Sequence, residues 1–222
     1  MNRHVLRNVL FFIAALLIID QVLKIYIKTH FLLGEEVNVI GNWFRLNFIE
    51  NEGMAFGMAW KGTTGKYFLS IFRIVAATAI FWYLLKIIRE KKNILFIFSV
   101  ALIFAGATGN IIDSMFYGLI FESSPYYGSG AEAAEIFPQG GGYTVFLQGK
   151  VVDMLYFPLI NTRFPSWVPF LGGNEFSFFR AIFNLADSYI SIAVVMILIF
   201  QKRMFPKEKK EEKEKTETAE TK

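Results

Sequence analysis

Asp153 and Asp187 are the two residues of this chain best placed to do chemistry. Asp187 lies in Phe183-Asn184-Leu185-Ala186-Asp187-Ser188, at the head of the last hydrophobic segment. Asn184, Asp187 and Ser191 stand at i, i+3 and i+7 and so share one helix face. A helix beginning near Ala181 carries Asp187 about 10 Å along its axis. That is within the outer part of a hydrocarbon core about 30 Å thick. A lipid-facing Asp there costs roughly 2.5 kcal/mol or more, so the carboxylate is expected to face protein or water and to have a task. Asp153, in Lys150-Val151-Val152-Asp153-Met154, precedes it on the same stretch outside the membrane. Two neighbouring Asp side chains cannot easily both ionise, so one pKa rises and the pair holds a single proton. Such a pair can take a proton from a water that attacks a peptide carbonyl. It can also hydrogen-bond the carbonyl oxygen and protonate the leaving amine. The titration belongs to the pair, and neither Asp has a fixed role.

Little else on the chain offers hydrolytic chemistry. There is no cysteine, which removes disulfides, thiolate nucleophiles and cysteine-bound metals. The histidines, His4 and His30, have no partner at metal-ligand spacing, so no metal and no cofactor is expected. A Ser–Lys dyad would draw on Lys24 or Lys150 as base and Ser114 or Ser188 as nucleophile, but no spacing favours it.

The elements that must position the two carboxylates are membrane helices. More than half of the 222 residues are apolar, with 25 Phe. Four spans are expected, at about 9–27, 67–88, 94–112 and 181–200, with outer regions at 28–66 and 114–180. The expected architecture is a membrane all-α fold with a small antiparallel β-sheet and long loops on the outer, periplasmic face. The first span is read as a helix and not as a cleaved signal peptide, because no small-x-small site follows and the apolar stretch continues past Lys24. Asp20 and Lys24, at i and i+4, pair on one face of it. That pair is either an ion pair tucked at the helix end or one that orders the adjacent region. Residues 36–40 and 43–49 read as strands around a Gly41-Asn42 turn. Asn51-Glu52-Gly53-Met54-Ala55-Phe56-Gly57 then breaks the pattern. Arg73 lies near the outer end of the second span. In Gly106-Ala107-Thr108-Gly109-Asn110-Ile111-Ile112-Asp113, Gly106 and Gly109 permit close helix approach, and Asn110 and Asp113 face alike. Residues 123–142 read as mobile, 143–153 as possible strands, and 157–179 as a proline- and aromatic-rich loop resting on the membrane interface.

Arg3, Arg7, Lys86, Arg89, Lys91, Lys92, Lys202, Arg203 and Lys207 all fall on one side of a four-span chain, which makes both termini cytoplasmic. The net charge of +4 therefore follows membrane topology and implies no nucleic-acid partner. Residues 206–222 read as a disordered, charged cytoplasmic tail after a single domain covering 1–205. On the outer side Asp20, Asn51, Asn110, Asp113, Asp153 and Asp187 gather at one depth.

Taken in order, Asp20 with Lys24, Asn51-Glu52-Gly53, Gly109-Asn110-Ile111-Ile112-Asp113, Val152-Asp153 and Asn184-Leu185-Ala186-Asp187 resemble the motifs of lipoprotein signal peptidases (signal peptidase II). The resemblance covers about residues 5–200. It implies an aspartic endopeptidase of the bacterial cytoplasmic (inner) membrane that removes signal peptides from diacylglyceryl-modified prolipoproteins, on the amino side of the lipidated Cys. Asp153 and Asp187 match the catalytic pair. Asp20, Lys24, Asn51, Gly53, Gly109, Asn110, Asp113 and Asn184 match site-supporting positions. The implied partners are prolipoprotein substrates, membrane lipid and globomycin-type inhibitors, acting on a monomer. Ser114 stands where the family usually has Arg, so a basic contact is either lost or supplied from elsewhere, by Arg73 or Arg180, and Met154 stands where Phe is common. The stretches on either side of Asp153 are longer than the family's, and are expected to form a flexible lid. The rival reading is a small proton-coupled transporter or channel subunit, since intramembrane carboxylates also build proton relays; a scaffold without chemistry is the third. Asp187→Asn separates these: a scaffold tolerates it, while a peptidase or relay does not.

Overall fold

The computed structural model describes residues 3–52, 63–163, 165–170, 173–178 and 180–206. The glycine-bearing loop after Glu52, including Gly53, lies outside them, as does the charged tail from residue 207.

Four helices are long and apolar enough to cross a membrane. α1 (Arg3–His30) is polarised along its length: the buried stripe is Val9 and Ile13 in the first half, then Asp20, Lys24, Ile27 and Lys28 in the second. Its outward face is Phe11, Ile18, Ile19 and Val22, a surface suited to lipid. α2 (Thr63–Arg89) and α3 (Ile94–Ile112) follow, joined by a short basic turn. Asn93 caps α3 by accepting the Leu95 N–H at 2.9 Å. α3 then runs without a break through a π-helical turn (Asp113–Tyr117) into the single turn α4 (Gly118–Ile120), so the third span extends to Ile120. π-turns inside helices are frequent at functional sites, and this one begins at Asp113.

α3 is the most enclosed of the four and packs against α1, α2 and α5 (Leu185–Met204). Its glycines set that packing. A Cβ at Gly106 would collide with the Ala186 carbonyl oxygen and lie 2.7 Å from Ile190 Cγ1. Gly106→Ala is therefore expected to cost about 1–3 kcal/mol through overpacking. Thermal unfolding in detergent micelles checks this, and an unchanged Tm would refute it.

The last span begins later than periodicity predicts. Ile182–Phe183 form a two-residue strand, β6, and Asn184 (φ −118°, ψ 179°) is the N-cap, so the helix starts at Leu185 and not near Ala181. Asn184 is thus not part of a shared helix face with Asp187 and Ser191. Asp187 sits in the first helical turn, where backbone N–H groups and the helix dipole favour a carboxylate.

Above the helices lies a four-stranded antiparallel sheet in the order β1 (Glu36–Ile40), β2 (Phe44–Asn51), β3 (Val151–Tyr156), β6. β3 starts where the sequence had suggested a strand would end, so Asp153 is inside it, opposite Ile49 of β2. Val151 to Leu155 are all buried, because the sheet is covered on both faces at this strand. Ile27, Phe48, Tyr117, Phe121, Val152, Met154 and Leu155 form one apolar cluster beneath it, in which Met154 is fully buried. A second cluster, with Ile13, Leu84, Ile97, Val100 and Tyr189, fills the helix bundle.

Among the described residues, the long segments carry strand pairing and backbone bonds that their composition does not suggest. Residues 160–178 contain the hairpin β4 (Ile160–Arg163) and β5 (Glu175–Phe178). The 123–142 stretch, expected to be a mobile lid, is stitched down by backbone bonds. Tyr127 and Leu33 pair across it (3.0 Å), Glu122 N–H reaches Glu135 O (3.0 Å), and Tyr143 N–H reaches Phe121 O (3.0 Å).

Candidate active site

The site is assembled at the junction of α1, α3, β3 and the N-terminus of α5. Asn184 connects its two carboxylates. Its Oδ1 accepts the Asp187 backbone N–H at 3.0 Å, while its Nδ2 donates to Asp153 Oδ1 at 2.6 Å and to Asn110 Oδ1 at 3.0 Å. Asn110 Nδ2 in turn donates to Asp187 Oδ1 at 2.8 Å. Asn51, at the end of β2, donates from Nδ2 to Asp153 Oδ2 at 3.2 Å. Asp153 is only 2% exposed and Asp187 is half-buried. Burial first, and then the charge of Asp187, push the Asp153 carboxyl up to about 7; the hydrogen bonds from Asn51 and Asn184 and the charge of Lys24 pull the other way.

Behind this pair is a fully buried ionic knot. Lys24 Nζ uses its three donors on Asp20 Oδ2 (3.1 Å), Asp113 Oδ2 (2.9 Å) and Asn110 Oδ1 (2.8 Å). Asp20 Oδ1 accepts the backbone N–H of Ala186, one residue before Asp187, at 3.0 Å. Asp113 Oδ2 accepts the backbone N–H of Val152, one residue before Asp153, at 3.2 Å. The Asp20–Lys24 pair thus bears on the backbone beside both carboxylates, directly through Asp20 at Ala186 and through Asp113 at Val152. Asn110 and Asp113 both reach Lys24, but beyond it they diverge, one toward Asp187 and the other toward β3. Gly109 has to lack a side chain, because a Cβ there would stand 2.7 Å from Asp20 Oδ2 and 3.1 Å from Ala186 Cβ.

Sequence reasoning had passed over Gln21. Its Nε2 donates to Asp20 Oδ2 (3.1 Å), Asp113 Oδ1 (3.0 Å) and Gly109 O (3.2 Å), and its Oε1 accepts the Tyr117 hydroxyl at 3.2 Å. The available signal was its position beside Asp20 in an apolar helix, where an amide needs partners.

Ser114, at the position of the family's usual Arg, is buried and bonds back to Asn110 O at 3.0 Å. Arg73 of α2 is a second cation, in addition to Lys24, that feels the charges of Asp187, Asp153 and Asp113. The Ser–Lys alternative finds no geometry. Ser188 Oγ bonds back to Asn184 O (3.0 Å), Lys24 is saturated by the knot, and Lys150 pairs with Glu50 (3.3 Å).

The arrangement resembles known proteins in sequence and in shape. The family Signal peptidase (SPase) II matches residues 12–203. A lipoprotein signal peptidase of Porphyromonas gingivalis is 49% identical over 188 residues, which is 84% of this chain and 79% of that protein. One of Amoebophilus asiaticus is 35% identical over 185 residues, 82% of this chain and 72% of that protein. A bacterial membrane enzyme solved at 1.9 Å superposes with a TM-score of 0.54 at 24% identity, covering 86% of this chain and 90% of the other. A second, at 2.3 Å, gives 0.53 at 22% identity over 91% and 93%.

Proposed function

The chain belongs to the signal peptidase II family and is a membrane protease that processes lipoprotein signal peptides, and from this we propose that Asp153 and Asp187 are its catalytic pair. The observation that carries the assignment is Asn184, which touches Asp153 through Nδ2 and caps Asp187 through Oδ1. Asp20, Lys24, Asn51, Gly109, Asn110, Asp113 and Asn184 support the pair, and Gly53, outside the described residues, is assigned to the site by its place in the motif alone.

In the reaction the pair holds one proton. The ionised carboxylate removes a proton from a water lying between them as its oxygen attacks the scissile carbonyl carbon. The protonated carboxyl gives its proton to the carbonyl oxygen, forming a gem-diol. When the C–N bond breaks, the protonated carboxyl gives its proton to the amine nitrogen while the other carboxylate takes the proton of one gem-diol hydroxyl, so the new carboxyl group forms and the pair returns to its singly protonated state. Burial of Asp153 keeps the site at low dielectric and strengthens both hydrogen bonds.

The substrates are diacylglyceryl-modified prolipoproteins, cut on the amino side of the lipidated Cys. The helix ends bearing Arg3, Arg7, Lys86, Arg89, Lys91, Lys92, Lys202 and Arg203 lie on the cytoplasmic side, which puts both termini inside and the carboxylates near the outer face of the bacterial inner membrane. The enzyme works as a monomer. A signal helix diffusing in the bilayer enters sideways and brings its scissile bond to that depth. Globomycin-type cyclic peptides fit the same cleft. A transporter finds no support, because the polar network of the described residues gathers at one end of the helices and does not cross them.

The test is cleavage of a diacylglyceryl-modified prolipoprotein by the purified protein in detergent, followed by gel shift across pH. With the Asp153 carboxyl near 7, the pair keeps its proton below about pH 7 and loses it above. The rate is therefore expected to fall on the alkaline side, approaching tenfold per pH unit. A rate flat to pH 9, or equal cleavage of the unlipidated precursor, contradicts the assignment.

A further inference from the structure

A second buried charge cluster stands on the opposite face of β2 from the carboxylates. Lys28, one turn beyond Lys24 on α1, is fully buried. Its Nζ donates to Glu50 Oε1 (2.5 Å) and Ser124 Oγ (2.8 Å) and lies over the rings of Tyr143 (5.0 Å) and Phe121 (5.5 Å). Ser124 Oγ also bonds Glu50 Oε1 at 2.8 Å, and Lys150 Nζ approaches Glu50 Oε2 at 3.3 Å. The Lys150 backbone N–H donates to the Tyr143 hydroxyl at 2.7 Å. A buried ion pair adds little stability compared with apolar residues of the same size, so what this one fixes in space matters more than its energy.

What it fixes is the end of two strands. Glu50 pairs across the sheet with Val152, and Asn51 with Val151. Successive strand residues face opposite ways, so Glu50 turns into the cluster while Asn51 turns to Asp153. The β2–β3 register is irregular between Leu46 and Ile49. Beyond it three pairs, Ile49–Asp153, Glu50–Val152 and Asn51–Val151, hold the strand end, and Glu50 is held in addition by the side chains of Lys28, Ser124 and Lys150. Ser124 and Lys150 both belong to the long segment between Asp113 and Asp153. The return arm of that segment is seated against the π-turn by Gly149 N–H to Ser114 O (2.9 Å) and Thr144 N–H to Gly118 O (3.0 Å).

We propose that the Lys28–Glu50–Ser124–Lys150 cluster is a positioning clamp for the reaction: it locks the β2–β3 end, through the segment between Asp113 and Asp153, so that Asn51 holds its hydrogen bond to Asp153. This rests on the assignment of Asp153 above. The clamp residues touch no substrate, so they act on turnover and not on binding. The groups that bear on Asp153 are Asp187 from α5, Lys24 from α1, Arg73 from α2, and the amides of Asn51 and Asn184. Loosening the Asn51 bond removes one influence that favours the ionised carboxyl, so the alkaline limb of the pH profile moves to higher pH.

The experiment compares wild type, Glu50→Gln, Glu50→Asp and Ser124→Ala on a diacylglyceryl-modified prolipoprotein peptide in detergent. Glu50→Gln is expected to lower kcat about tenfold with KM within about twofold, and to shift the alkaline limb upward. Ser124→Ala shifts both in the same direction by less, and Glu50→Asp, which keeps the charge, recovers part of kcat. A lowered Tm with the limb unmoved assigns the cluster a purely structural role and overturns the clamp. Wild-type kcat and pH profile in folded Glu50→Gln overturn it as well. If Glu50→Gln does not fold, Ser124→Ala and Glu50→Asp decide by the same split. A wild type inert toward the lipidated peptide brings down the peptidase assignment and the clamp together, whereas an active wild type with unaffected variants brings down the clamp alone.

Discussion

Asp187→Asn is expected to reduce cleavage of a lipidated prolipoprotein by about 10³-fold or more, and Asp153→Asn by a similar factor. General acid–base catalysis by a positioned group contributes roughly 10²–10⁴-fold, and in the proposed cycle each Asp of the pair serves as both base and acid. The amide is nearly isosteric with the carboxylate. At position 187 its oxygen still accepts from Asn110 Nδ2, and at position 153 from Asn184 Nδ2, so both variants should fold. Because the two act as a unit, the double variant should be scarcely worse than either single one. Full cleavage by Asp153→Asn would move the second carboxylate elsewhere. Asp113 is a poor replacement, because both its oxygens are already engaged by Gln21, Lys24 and the Val152 N–H. Retained activity in Asp187→Asn would remove the aspartic mechanism altogether.

Lys24→Met carries the largest expected effect on stability. Lys24 is the counter-ion shared by Asp20 and Asp113, with all three side chains at zero exposure. Removing one partner of a buried ionic group costs about 3–5 kcal/mol, because the remaining charge has neither water nor counter-ion. Here two carboxylates are left facing each other, and each holds a backbone N–H next to Asp187 or Asp153. A large fall in Tm in detergent is expected, together with loss of activity. Adding Asp113→Asn should recover part of the loss, since the two positions are coupled. A Tm within a degree or two of wild type would mean that water reaches the knot and that it is not the dry structure described above.

Membrane character, the β1–β2 hairpin and the identity of the polar residues were legible in the sequence because each rests on a local pattern. Apolar run length marks a span, Gly41-Asn42 between two apolar stretches marks a turn, and a carboxylate in an apolar run marks a site. Element ends were less legible. Residues 181–183 read as helical because they are apolar, yet Ile182–Phe183 pair with β3 and Asn184 stops the strand and caps the helix. The 123–142 stretch read as mobile from its Gly, Ser and Ala content. Its order comes from Leu33, Phe121, Lys28 and Glu50, which are distant in the chain.

By itself, then, the sequence determined which residues are chemically able and that they gather at one end of the membrane helices. Tertiary structure alone decided who bonds to whom. Asp20 reaches Ala186, Lys24 reaches Asn110 and Asp113, and Asn184 reaches both Asp153 and Asp187. Periodicity gives the direction of a side chain about its own helix, but it carries no information about the element standing opposite. Those pairings are set when glycine-lined helices and a covered strand pack closely enough to exclude water, for only then must each buried donor and acceptor find a partner in the protein.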